Sequence, residues 1–323
     1  MQKIILDCDP GHDDAFAIML AAQHLDVLGI TTIGGNGFLE NVTTNALKVL
    51  EVIEREDIPV YKGHAGPLVN PLVTAPEFHG ESGMDGPVLP EPKIKAQHKH
   101  AVDFIVETVL ANKDITIIAT GPLTNVASAI NKNPDIVKNI KEICIMGGSV
   151  TFGNWTPAAE FNIFVDPEAA SIVFNSGALV KMTGVNLTRQ CLITEKEMFK
   201  FREIGTKAAN FAADLVDYFI QACYDTADIK GANLHDACAV AWIINPDLIK
   251  SVPMHIDVEL NGKLTRVMTV CDYRHLRGSD PKVDLHREPT MKFRGAQPNA
   301  IGALELDFDG FLALLYSTLK SYN

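Results

Sequence analysis

Two hydrophobic periods alternate along the chain. The runs "KIILDC", "VLGITTI", "ITIIAT", "EICIMG" and "ALVKMTGV" are short and almost continuously apolar. That is the pattern of strands buried on both faces of a parallel sheet. Between them, apolar positions recur at helical spacing over residues 13–24, 39–56, 100–112, 123–131 and 167–175. Strand, helix and strand in repetition predict an α/β fold with a doubly wound, mostly parallel sheet flanked by helices. Residues 194–244 read as mostly helical, with a break near Lys230-Gly231. "MHIDVEL" and "LTRVMTV" read as a hairpin around Asn261-Gly262. Residues 272–297 form a polar excursion, and a strand "AIGALEL" and a helix close the chain. No internal repeat, low-complexity tract or linker interrupts it, so one domain over 1–323 is expected.

In such sheets ligands collect at the carboxyl ends of the strands. Asp7 and Asp9 end the first run, and Gly34-Gly35-Asn36-Gly37 follows the second. Thr120-Gly121-Pro122 and Met146-Gly147-Gly148 follow later ones. One rim would gather them all.

Composition narrows the class. Hydrophobic residues are 47% and charged residues 21%, ordinary for a soluble globular protein. A net charge of −12 argues against nucleic acid or an anionic membrane as partner. The six cysteines show no Cys-x-x-Cys pair, which fits a reducing cytoplasm better than a disulfide or zinc framework. Strand-like residues begin almost at Met1, so no signal peptide is expected, and no apolar run is long enough to span a membrane.

The stretch "LDCDPGHDD" places Asp7, Asp9, Asp13 and Asp14 within eight residues, and no Lys or Arg lies between Lys3 and Lys48. Like charges this close raise one another's pKa. A helix start would favour Asp13 and Asp14 through its dipole and free amides. Asp9, on the turn before it, would need protonation or a bound cation. A hard divalent ion with oxygen ligands fits, and the lack of a His/Cys cluster argues against soft metals. A capped, solvated acidic turn is the plainer alternative. A second is an aspartyl-phosphate phosphatase, whose Asp-x-Asp needs a balancing lysine. Lys62 and Lys181 are available, but neither stands in a motif.

"DCDPGHDDAFAIMLA" resembles the amino-terminal signature of the inosine–uridine-preferring nucleoside hydrolase family. Further blocks of that family follow in order: "GGNG", "HGESGMDGP", "TGPLTNVA", "IMGGS", "GNWTPAAEFNIFVDPEAA" and "LHDACAVAWIINP". The resemblance covers nearly the whole chain. It implies one Ca²⁺ per subunit, held by Asp9, Asp14, Asp236 and the carbonyl of Thr120. It also implies hydrolysis of the N-glycosidic bond of ribonucleosides to base and ribose, in nucleoside salvage. A calcium-bound water would attack directly, with Asp9 as its base and no covalent intermediate. Asp13 would accept a ribose hydroxyl proton, and Asp7 would stand behind the ligands. Family members are commonly homodimers or homotetramers.

An anionic pocket suits the oxocarbenium-like ribosyl of such a reaction. Asn36, Asn154, Glu160 and Asn162 supply polar groups for the hydroxyls, although Asn in loops mostly makes turns. Glu160 and Asn162 flank Phe161, and strand-like alternation would set both on one face. His235, beside Asp236, is the candidate acid for the departing base; a helix cap is its plainer role. His79 and His12 are weaker candidates. His12, among carboxylates, would favour its charged form and partner Asp7 or Asp9. Met146 could line the ribose floor. Tyr224, with Tyr218, lies where this family stacks on the base, with Phe219 or Cys223 as alternatives for that place. The excursion, with its basic residues, departs from simpler family members and reads as a solvated loop, a lid or a subunit contact. A catalytically silent nucleoside-binding protein on the same fold is the alternative to an enzyme.

Overall fold

A computed structural model describes residues 1–274 and 296–322. The first half winds regularly as β1 (Lys3–Cys8), α1 (His12–His24), β2 (Asp26–Thr32), α2 (Leu39–Val52) and β3 (Val60–Lys62). A short α3 (Pro76–His79), α4 (Ala101–Ala111), β4 (Ile115–Ala119), α5 (Thr124–Lys132) and β5 (Ile140–Met146) follow. Next come α6 (Phe161–Val165), α7 (Pro167–Phe174), β6 (Val180–Thr183) and α8 (Val185–Thr188). The second half adds β7 (Leu192–Ile193), α9 (Glu195–Ile204), α10 (Lys207–Ala227), β8 (Ala232–Asn233) and α11 (His235–Ile244). It ends with β9 (Ile249–Val258), β10 (Thr269–Asp272), β11 (Ala300–Leu306) and α12 (Phe308–Ser321).

The main sheet has the order β10-β9-β11-β6-β5-β4-β1-β2-β3. Neighbours from β3 across to β11 pair in parallel, and β9 runs antiparallel to both β11 and β10. Strand alternation explains the two covered faces. Ile4, Leu6 and Cys8 face a core with α1, α2, α10 and α11, while Ile5 faces one with α4, α5 and α7. The winding reverses between β1 and β4, and that reversal opens a crevice at their carboxyl ends.

The helix α1 decides what lies in that crevice. Its residues from His12 to Ala22 are all buried. It is enclosed by α2, α10, α11 and α12, so its first turn cannot be a solvated acidic surface.

Two features differ from the sequence reading. The edge strand β3 was not foreseen; three residues leave too little pattern. The hairpin exists, but β10 begins only at Thr269. Residues 259–268 form a longer connection, in which Val267 takes φ +79°, so "LTRVMT" is mostly turn. Most of the 272–297 excursion lies outside the described residues. Among those described, no helix is long and apolar enough to cross a membrane.

Candidate active site

Two helices begin at the crevice. Asp13 and Asp14 are in the first turn of α1, and Asp236 is in the first turn of α11, which packs along α1. Carboxylate oxygens of these three buried residues lie within 4.8 Å of one another. Both helix dipoles point their positive ends at them. Asp14 is the most tightly held. Its Oδ1 accepts from Thr120 Oγ1 at 2.8 Å, and its Oδ2 accepts from the Gly11 amide at 3.0 Å and Asn36 Nδ2 at 3.3 Å.

Asp9 stands beside this trio, fully buried. Its Oδ2 accepts the Asn36 amide at 2.6 Å, and its Oδ1 has no partner among the described residues. The glycines of two loops explain the fit. A Cβ on Gly35 would collide with Asp9 Oδ2, and one on Gly121 with Oδ1. Both backbones press against that carboxylate, so neither position has room for a side chain. Asp7 lies deeper. Its Oδ1 accepts from Thr31 Oγ1 at 2.5 Å and Asn125 Nδ2 at 2.8 Å, tying β1 to β2 and to the start of α5.

Burial sets the electrostatics. It raises Asp13 to about 7, with the charge of Asp14 adding to it. Asp9 and Asp236 rise well above the ordinary carboxylate range, through burial first and then Asp14 and Asp13 respectively. Asp14 is raised by burial as well. These carboxylates need an added positive charge to ionise together. The unpartnered Asp9 oxygen and the closed trio, all hard oxygen donors, fit a hard divalent cation.

Above this floor an open cavity gathers most of the expected residues: Asp13, Asn36, His79, Thr120, Met146, Asn154, Glu160, Asn162, His235 and Asp236. Asn162 Nδ2 donates to the carbonyls of Thr120 (2.7 Å) and Met146 (3.0 Å), so it fastens the ends of β4 and β5 together. Glu160 caps α6, accepting from the amides of Asn162 and Ile163, and burial raises it to about 7. The two residues do meet one cavity, but through a helix cap, not through strand alternation. Asn154 Oδ1 accepts the Phe161 amide at 3.0 Å.

The histidines differ from expectation. His12 does not touch Asp7 or Asp9. Its Nε2 bonds the Asp85 carbonyl at 2.7 Å, its Nδ1 lies 3.1 Å from His79 Nδ1, and burial lowers it to about 4. Desolvation outweighs the carboxylates nearby. Burial also pushes His79 well below its usual value. His235 falls to about 4, through burial and then Arg189, and its Nδ1 meets Thr188 Oγ1 at 2.6 Å.

Tyr224 is 47% exposed and does not line the cavity. On α10, residues four apart share a face, so Phe219, Cys223 and Ala227 form the wall and Tyr224 turns about 100° away. Phe78, Trp155, Phe161, Arg189, Ile229 and Asn233 also line the cavity and were not foreseen. Arg189 ends α8, the short helix that leads away from β6, so the rim argument extended through "TGVNLTR" would have reached it.

A sealed acidic floor beneath a half-apolar cavity, at the switch point of a doubly wound sheet, defines an α/β protein for a small ligand with a polar and an apolar half. The chain matches the model of the inosine-uridine preferring nucleoside hydrolase family over residues 4–313. It is 43% identical to the pyrimidine-specific ribonucleoside hydrolase RihA of Escherichia coli K12, over 99% of this chain and 98% of that protein. Among solved structures, the purine-preferring ribonucleoside hydrolase of Gardnerella vaginalis superposes with a TM-score of 0.88 at 34% identity, covering 99% and 98% of the two chains. A plant nucleoside hydrolase gives 0.87 at 32%, covering 99% of each. The chain belongs to the inosine–uridine-preferring nucleoside hydrolase family and is a ribonucleoside hydrolase.

Proposed function

We propose that the aspartate cluster binds one Ca²⁺ per subunit and that the loaded protein hydrolyses both purine and pyrimidine ribonucleosides to free base and ribose. The observation that carries the metal is Asp9 Oδ1, a buried carboxylate oxygen without a partner beside three further buried carboxylates. Asp9, Asp14, Asp236 and the Thr120 carbonyl would hold the ion. When bound, the cation neutralises the floor, orients the ribose diol and acidifies water.

The remaining work falls to this chain's own groups. Asp9 takes the proton of the attacking water, and Asp13 accepts from a ribose hydroxyl. Asn36, Asn154, Glu160 and Asn162 orient the sugar, with Met146 beneath it. The developing ribosyl cation lies over buried carboxylates, which lower its energy most where water is excluded. His235 stabilises the departing base by donating a hydrogen bond from Nε2, and the ring, held neutral by burial and Arg189, keeps that proton. With Thr188 donating to its Nδ1, its Nε2 carries the proton that faces the cavity.

The base rests against Phe78, Phe219, Cys223, Ala227 and Ile229. These side chains offer no strong donor or acceptor for a base edge, so stacking and size decide affinity. That supports activity on both base classes, whereas the relatives' names divide between pyrimidine-specific and purine-preferring. A cytoplasmic location and a dimeric or tetrameric state belong to the same reading.

The test is a panel of uridine, cytidine, inosine and adenosine, assayed for free base and reducing sugar. Their 5′-monophosphates serve as controls, with metal content measured on the same preparation. Release of base from both classes by a calcium-loaded protein is the expected result. Release of phosphate from the controls without base, or nucleoside binding without turnover, would overturn the reading.

A further inference from the structure

A nucleobase leaves its sugar with the bonding electron pair. As the C1′–N bond breaks, the ring nitrogen and the atoms conjugated to it take up a negative charge, and a water oxygen bonds to C1′. A cation on the base side of the cavity would stabilise that charge where it develops. Among the described residues that line the cavity, Arg189 is the one lysine or arginine. Its guanidinium stays protonated at any working pH, so the charge is permanent.

The backbone of Arg189 is pinned at the end of α8. Its amide donates to the Val185 carbonyl at 3.2 Å, and its carbonyl accepts from Nδ2 of the buried Asn233 at 3.1 Å. The preceding residue, Thr188, meets His235 Nδ1 at 2.6 Å, so Arg189 and His235 stand on one side of the cavity. The guanidinium carbon lies over the Phe152 ring, 4.7 Å from its centre. That contact holds the cation through its charge and occupies none of its five N–H donors.

The other described arginines all hold a carboxylate: Arg55 meets Asp57, Arg202 meets Asp214, Arg266 meets Glu168 and Arg274 meets Asp272. Arg189 has no carboxylate or other acceptor among the described residues. An arginine pinned at its backbone, seated on an aromatic ring and left with unused donors beside the cavity is arranged for an anion that forms there.

We propose that Arg189 is a catalytic residue for the leaving group: its guanidinium donates to an oxygen or ring nitrogen of the departing base and stabilises the anion as it forms. Arg189 keeps its proton, and the base takes one from solvent after release. His235 supplies a neutral hydrogen bond, and Arg189 supplies the charge. This role rests on the reading that places the base on the His235 side of the cavity. Since the charge appears only as the bond breaks, the contribution falls in kcat and not in KM.

The test uses calcium-loaded full-length protein with Arg189→Gln, which keeps N–H donors without charge, and Arg189→Lys, which keeps the charge. Arg189 is exposed at the cavity mouth, so both variants should fold. Arg189→Gln should lose about tenfold in kcat on uridine and inosine at unchanged KM and calcium content, and less than about threefold on p-nitrophenyl riboside, whose anion is already stable. Arg189→Lys should stay within about threefold of wild type on all of them. Equal losses in the two variants, or a loss in Arg189→Gln equal on all substrates, would show that Arg189 only shapes the pocket. Wild-type kcat in Arg189→Gln would remove it from the reaction. Binding gives a readout apart from turnover: 5-nitrouracil is an anion at neutral pH and uracil is not. By calorimetry in the presence of ribose, wild type should prefer 5-nitrouracil over uracil by about tenfold, and Arg189→Gln should lose that preference. A preference that survives in Arg189→Gln would overturn the proposal even if wild type hydrolyses every nucleoside. Its loss would sustain the anion contact even if the hydrolase reading failed on part of its substrate panel.

Discussion

The floor and the wall of this cavity are built on opposite principles. On the floor, polar side chains are fastened to one another: Asp14 takes three hydrogen bonds, Asn162 spans two strand ends, and Asn36 bridges Asp9 and Asp14, while Asp9 Oδ1 stays open. On the wall, Phe219, Cys223 and Ala227 present a stripe of one helix face with no polar group to commit. On the proposed reading the floor would hold a sugar in one orientation, because a misplaced hydroxyl would leave buried carboxylates unsatisfied. On the proposed reading the wall would tolerate any flat ring that fits, and a single cavity would combine a strict half with a permissive half.

The largest effect should follow from touching the floor. Asp9→Asn keeps an oxygen but loses the base, so kcat should fall by roughly 10²–10⁴-fold on every substrate while nucleoside still binds. Turnover near wild type would remove Asp9 as base. Next comes His235→Ala, which should cost natural nucleosides at least about a hundredfold more than p-nitrophenyl riboside, whose leaving group needs no hydrogen bond. Equal losses on the two would give His235 a pocket-shaping role. A smaller change is expected at the wall: Phe219→Ala should raise KM by about tenfold, alike for uridine and inosine, through lost stacking. A loss confined to one base would show that the wall reads identity after all.

The smallest effect concerns stability. Asp13 has a folded value of about 7, above its ordinary 3.8, so the fold favours the protonated group. That contribution is complete below about pH 4 and is lost as pH rises through about 7. The metal-free protein should therefore melt a few degrees lower at about pH 8 than at about pH 5, and added Ca²⁺ should raise Tm more at the higher pH. A calcium increment independent of pH would separate the ion from this cluster.

Local pattern was enough for the winding of the sheet. Continuous apolar runs such as "ITIIAT" suit strands covered on both faces, and the rim of Asp9, Asn36, Thr120 and Met146 follows from where such strands end. Short or one-sided elements escaped: β3 is three residues long, and "LTRVMT" alternates well enough to resemble a strand although Val267 turns the chain. Four crowded aspartates without a nearby cation announced their own need, since that follows from charge and spacing alone. What only the tertiary structure decided is which groups meet across distance. Asp236 joins Asp13 and Asp14 because α11 lies along α1. Phe219 and Cys223, not Tyr224, face the cavity because the rotation of α10 about its axis is set by packing on both sides. His12 loses its expected charge because burial, a property of the whole fold, outweighs the carboxylates beside it in sequence.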